Sequence, residues 1–201
     1  MHVRTPIALT VAALLAAPQL ASAQARGPRA QSATAGTAAS RALSVGGYIG
    51  FESGDLSGLS LRLDGEMPLQ ALSPQIALSL VGSLGYTHFG KDVQFGDLTF
   101  NLFKVVPAAR FTLPLNPQFD VYGDAGLGLY YYRFSTRQDL PFFGTIEDSG
   151  SGVGLMMRLG VGAFYKVSPQ LRLGAEFGIL PYFNKVDTTD VSLLVGAMFA
   201  I

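Results

Sequence analysis

The chain has 201 residues with 14 Lys+Arg against 14 Asp+Glu, no cysteine and a mean hydropathy of +0.33. Charge neutrality argues against nucleic acid as a partner, because that needs a basic face. The missing cysteine excludes a disulfide scaffold, a thiolate metal site and a lipid attached through sulfur.

Residues 1–23 have the order of a secretory signal peptide. A basic start ends at Arg4, an apolar stretch covers 7–17, and the small-residue site Ala21-Ser22-Ala23 precedes Gln24. The apolar stretch is too short for a spanning helix. Cleavage after Ala23 removes one base, Arg4, and no acid, which leaves 13 bases against 14 acids. Residues 24–41, QARGPRAQSATAGTAASR, hold no acid, no aromatic and no large aliphatic side chain. They bury too little surface to offset their ordering entropy and read as a flexible leader. The remaining segment, 42–201, is about 160 residues, the size of one domain.

Beyond the leader, apolar residues alternate with polar or small ones. Over 58–67, Leu59, Leu61, Leu63 and Met67 share one face, and Ser60, Arg62, Asp64 and Glu66 the other. Over 76–86, Ile76, Leu78, Leu80, Leu84 and Tyr86 oppose Ala77, Ser79, Val81, Ser83 and Gly85. Over 171–179, Leu171, Leu173, Ala175, Phe177 and Ile179 oppose Arg172, Gly174, Glu176 and Gly178. Period two is the strand period. It predicts eight strands, near 43–52, 58–68, 75–89, 97–113, 119–134, 151–167, 170–181 and 190–201. The fourth is irregular, with Thr99 and Asn101 out of phase with Lys104, Val106, Ala108 and Arg110. A bulge near Leu102 and Phe103 is expected there.

The connections alternate in kind. Leu72-Ser73-Pro74-Gln75, Leu115-Asn116-Pro117-Gln118 and Val167-Ser168-Pro169-Gln170 repeat one short turn signal after the second, fourth and sixth strands. The others, 52–57, 90–96, 135–150 and 182–189, are polar and mostly longer, and read as loops. Short turns at one rim and longer loops at the other suit a transmembrane barrel. An even strand count puts both barrel ends at the short-turn rim.

The polar face decides between a soluble and a membrane barrel. It carries Arg62, Asp64, Glu66, Lys104, Arg110, Asp124, Arg158, Lys166, Arg172 and Glu176 among Gly, Ser and Ala. Small residues between charges fit a narrow interior where charges must pair, whereas glycine is costly on a water-facing strand. The other face is almost wholly aliphatic or aromatic, an aggregation hazard in water and a requirement in lipid. Tyr48, Phe51, Tyr86, Phe89, Phe100, 130–132 and Tyr182 cluster at long-loop strand ends, and Phe111, Phe119, Tyr165 and Phe199 at short-turn ends. Two such bands are expected to form interfacial girdles.

The terminal segment Gly196-Ala197-Met198-Phe199-Ala200-Ile201 resembles the end signal of outer-membrane proteins, with Ile201 where an aromatic residue is usual. Val121-Tyr122-Gly123-Asp124-Ala125-Gly126-Leu127-Gly128 and Ala109-Arg110-Phe111 resemble the small OmpA-like and OmpX-like barrels of the porin family. The resemblance covers 42–201. It implies an all-β fold, an eight-stranded antiparallel up-and-down transmembrane β-barrel in the outer membrane. Residues 24–41 would then be periplasmic, with outer-membrane lipid around a monomer and no cofactor. Gly196, Phe199 and Ile201 would serve as the assembly signal read by the barrel-assembly machinery, with periplasmic chaperones escorting the chain.

Little in the sequence points to catalysis. Gly126-x-Gly128, Gly152-x-Gly154 and Gly160-x-Gly162 lie inside strand-period segments without the following helix that a dinucleotide site needs. They are expected to leave room for Arg and Tyr side chains opposite. His88 is the one histidine after residue 23, so a multi-histidine metal site is excluded. A hydrolase or acyltransferase using His88 needs a carboxylate and a hydroxyl beside it, and Asp92, Ser149 and Ser151 are the conceivable neighbours. The inward bases Arg62, Lys104, Arg110, Arg158, Lys166 and Arg172 nearly match Asp64, Glu66, Asp120, Asp124 and Glu176. That balance suggests an ion-pair network plugging the lumen, with Arg110 and Asp120 as cross-strand neighbours. Three functions are implied, in order: a structural or surface-interaction barrel, a small porin-like channel or transporter, and a lipid-modifying enzyme.

Overall fold

The computed structural model describes residues 42–73, 75–93, 96–140, 144–184 and 186–201. The expected signal peptide and leader lie outside these residues. Eight antiparallel strands succeed one another: β1 (Ser44–Ser53), β2 (Ser57–Ser73), β3 (Ile76–Val93), β4 (Gly96–Pro114), β5 (Phe119–Leu140), β6 (Gly144–Lys166), β7 (Leu171–Phe183) and β8 (Thr189–Ala200). Each pairs with the next, and β8 returns to β1 through Ser44↔Ala200 to Ser53↔Val191, closing the barrel. Closure leaves no sheet edge around the wall, so the backbone meets its hydrogen-bonding needs without water. Alternation then divides the side chains. Leu63, Leu84, Leu127, Val161 and Leu193 project outward and are exposed, while Ser83, Val81, Arg110 and Met198 are buried inside.

The three proline turns share one hydrogen-bond device. Ser73 Oγ accepts from the backbone N–H of Gln75 and Ile76, at 3.2 and 3.1 Å. Asn116 Oδ1 accepts from Gln118 and Phe119, at 2.9 and 2.8 Å. Ser168 Oγ accepts from Gln170 and Leu171, at 3.3 and 3.1 Å. A side-chain oxygen that replaces a ladder acceptor lets the chain reverse in few residues. Leu43 and Ile201 meet at this same rim, where Ile201 N–H donates to the Leu43 carbonyl at 2.8 Å.

The opposite rim differs from expectation. Polarity predicts loops over 90–96 and 135–150, yet the ladder continues through Gly90↔Thr99, Thr99↔Ser135 and Arg137↔Glu147. Polar side chains mark where strands stand in water and do not end the pairing. β3 to β6 therefore rise beyond their neighbours as a projecting sheet; β5 and β6 have 22 and 23 residues against 10 in β1 and 12 in β8. The pairing of β6 with β7 begins only at Leu155↔Phe183.

The expected bulge in β4 is also absent. Its register to β3 runs unbroken from Thr112 to Gly96. Phase is kept because Phe100 and Leu102 occupy inward positions, so the lumen is apolar at that level. Register shifts occur instead in β2, between Pro68 and Gln70 and between Ala71 and Ser73, beside the proline that donates no hydrogen bond.

Only part of the expected aromatic banding faces outward. Phe111, Phe119, Tyr165 and Phe199 are exposed at the short-turn side, and Phe51, Phe103, Tyr131 and Phe183 toward the other. Tyr48, Phe89, Tyr130 and Tyr182 instead point inward and are buried. Strand parity, rather than height on the wall, decides which aromatic residues meet the surroundings.

Candidate functional site: the packed lumen

The lumen is organised around Arg110 of β4, whose side chain is fully buried. One guanidinium nitrogen stands 2.9 Å from Asp124 Oδ2, 3.6 Å from Asp64 Oδ2 and 3.7 Å from Glu176 Oε2. The other is 3.3 Å from Glu66 Oε2. Its flat face lies over Tyr122, 4.3 Å from the ring centroid. Strands β2, β4, β5 and β7 each send one or more members to this cluster.

Two further arginines complete it. Arg62 donates both terminal nitrogens to Glu176, the second at 2.7 Å, and its Nε stands 3.0 Å from Asp64. Arg158 donates to Asp124 at 3.0 Å and to Ser83 Oγ at 2.7 Å, and Ser83 donates onward to Asp64 at 2.7 Å. Tyr122 donates its hydroxyl to Glu176 at 3.0 Å. Arg172 reaches Glu66 at 3.2 Å, and Lys166 reaches Asp120 at 2.7 Å in a more open position. The two-point pair of Arg62 with Glu176 is the strong form of charged hydrogen bond.

A second network surrounds Glu52, which is fully buried. It accepts from Lys104, from Thr87 at 2.9 Å, from Tyr182 at 2.5 Å and from Ser60 at 3.4 Å. A void of about 20 Å³ separates the two networks, lined by Glu52, Lys104, Arg62, Arg158 and Ser192 among others. It is sized for a single water. Toward the long rim Phe89, Leu102, Val106, Tyr130, Met156, Leu180 and Tyr182 form a cluster of buried side chains.

Glycine and aromatic side chains interlock across the strands. Tyr48 pairs with Gly196, Tyr122 with Gly162, Tyr130 with Gly154 and Phe164 with Gly174. Each ring occupies space that a Cβ at its glycine would need. These four glycines admit rings, whereas Gly160 makes room for the Asp124 carboxylate.

The register corrects one expected pair. Four turn residues place Arg110 opposite Asp124, while Asp120 pairs with Pro114 and bonds Lys166. Two buried lumen carboxylates, Glu52 and Asp190, escape the sequence reading, because both lie where polarity suggests loop ends. Their inward parity was the available signal. At the C-terminus, Gly196 backs the Tyr48 ring, while Phe199 and Ile201 face outward and are exposed.

His88 lies on the outer wall. Its Nδ1 is 2.8 Å from Asn101 Oδ1, which also accepts from the Tyr86 hydroxyl at 2.8 Å. Ser149 and Ser151 pair with Ser135 and Arg133 on the far side of β5, away from His88; the Asp92 side chain lies outside the described residues. Among the described residues no three His, Cys, Asp or Glu are grouped to hold a metal.

A closed antiparallel barrel with an apolar outside and a charged inside defines a membrane β-barrel. Residues 7–199 match the family model for the outer membrane protein beta-barrel domain. The chain belongs to this family, and its place is the cell outer membrane. Solved structures share the fold. A major outer membrane protein from Thermus thermophilus superposes with TM-score 0.60 at 16% identity, over 80% of this chain and 98% of that one. Ail, the attachment invasion locus protein of Yersinia pestis, gives 0.52 at 17% identity, over 80% and 97%. The outer membrane enzyme PagL gives 0.51 at 15% identity, over 79% and 99%. No curated protein matches the sequence.

Proposed function

We propose that the protein is a non-enzymatic structural barrel whose lumen is plugged by its own charges and whose projecting sheet meets partners at the cell surface. The observation that carries the reading is the setting of Arg110, buried and within 3.7 Å of four carboxylates. A permeating ion needs water and loosely held counter-charges, and here fixed partners and packed rings take that space. Eight strands enclose an interior that side chains can fill. The sheet formed by β3 to β6 supports the surface role, since it extends polar strands past the lipid. The hydroxyls weighed as nucleophiles for His88, those of Ser149 and Ser151, lie on β6, three strands away from β3, which favours the non-enzymatic reading. The test is conductance of the refolded protein in planar lipid bilayers. A plugged barrel inserts without stepwise current, and regular ion-selective steps from the wild type would establish a channel instead.

A further inference from the structure

Between the β1–β2 turn and the β7–β8 connection lies a cavity of about 180 Å³ at the long-rim mouth. Its walls are apolar and aromatic, with Phe89, Phe100, Leu102 and Tyr182 among the lining residues. Two carboxylates, Asp55 and Asp190, also line it. Asp190 points inward from β8 and is 6% exposed, and its carboxylate makes no hydrogen bond or ion pair among the described residues. Among the described residues, Lys104 is the base that acts on Asp190, and it is already held by Glu52 and Thr87. An anionic group buried without a partner is costly, so the folded site favours an incoming cation.

We propose that this mouth binds a small organic ammonium with an apolar or aromatic body. The positive end meets Asp190, and the body fills the aromatic walls, whose ring faces also attract cations. Size agrees, because a dry cavity of roughly 150 Å³ accepts benzene. The lining argues against a hard metal ion, which demands six or more oxygen ligands where this wall offers mostly carbon. A neutral alcohol of the same shape can donate one hydrogen bond to Asp190 but brings no positive charge, and an anion is repelled by both acids.

The probe is phenethylamine, titrated into the ¹⁵N-labelled full barrel in lipid nanodiscs while amide shifts of Leu56, Val186 and Thr188 are followed. We expect saturable shifts, with 2-phenylethanol binding at least about tenfold more weakly, the scale for losing one charged hydrogen bond. Asp190→Asn should weaken the amine by a similar factor while leaving β5 and β6 amides in place. Equal affinity for amine and alcohol would mean apolar partitioning alone and would overturn the proposal. So would unsaturable shifts, unchanged affinity in a folded Asp190→Asn protein, or calcium chloride displacing the amine from the same amides. Should Asp190→Asn fail to fold, the amine-to-alcohol ratio on the wild type still decides.

Discussion

The hydroxyl end of Tyr122 occupies the place that a side chain at Gly162, its direct cross-strand partner, would need. A Cβ built on Gly162 would stand 2.5 Å from the Tyr122 oxygen and 2.6 Å from the Ala175 carbonyl oxygen. The same hydroxyl donates to Glu176. Gly162→Val should therefore push Tyr122 off the central cluster and lower stability by about 1–3 kcal/mol, the cost of overpacking. Urea unfolding followed by electrophoretic heat-modifiability would measure it. In a Tyr122→Ala background the cost of Gly162→Ala should shrink, and strictly additive losses would show that the ring is irrelevant.

Glu52 and Lys104 form a pair whose members are unequal. Removing Glu52 leaves the buried Lys104 without its carboxylate and the Tyr182 hydroxyl without its acceptor, whereas removing Lys104 leaves Glu52 with its hydroxyl partners. Glu52→Ala should cost about 3–5 kcal/mol, the scale for breaking a buried pair. Lys104→Met should cost less, and Glu52→Gln with Lys104→Met should recover most of the loss. A double mutant less stable than Glu52→Ala in urea titration would refute this ordering.

The extent to which the fold was legible depends on what alternation encodes. Period two located eight strands, three proline turns and the inward parity of Arg62, Arg110 and Glu176. It carries no information about partners across the lumen. Arg62 and Glu176 meet although 114 residues separate them, and only the closed register brings them together. Glu52 precedes Ser53 and Gly54 and so looks like a loop acid, although its parity with Tyr48 and Gly50 already pointed inward. In the run 130–132, height suggested one aromatic band. Parity sends Tyr130 into the lumen against Gly154 and leaves Tyr131 exposed. The projecting sheet was hidden because polar strands outside lipid look like loops.

Membrane orientation is open to direct test, since the chain has no cysteine of its own. With the long rim outside, Glu147→Cys should react with an impermeant maleimide on intact cells. Pro117→Cys, in a short turn, should react only after permeabilisation. The reverse labelling pattern would invert the proposed topology.

The C-terminal residues serve both as proposed assembly signal and as structure. Ala200 N–H donates to the Gln170 carbonyl and Ile201 N–H to Leu43, each at 2.8 Å. Deleting 199–201 should give an unfolded species degraded before insertion, while Ile201→Phe should assemble at least as well as the wild type. Refolding both chains into detergent separates the roles. A truncated chain that refolds in vitro yet fails in cells points to a lost signal, and normal assembly in cells would refute the role.

Glu176 tests most directly whether the lumen is closed by mutually paired charges. It accepts from Arg62 and from the Tyr122 hydroxyl at 3.0 Å, and stands 3.7 Å from Arg110. Glu176→Ala leaves Arg62 buried without its main partner, so stability should fall by about 3–5 kcal/mol. The freed guanidinium should draw water inward and open a leak in a bilayer where the wild type is silent. Urea unfolding and bilayer conductance on the same two proteins decide the matter. A lower unfolding midpoint together with new current is expected; a conducting wild type with an unshifted midpoint in Glu176→Ala would contradict a lumen closed by its charges.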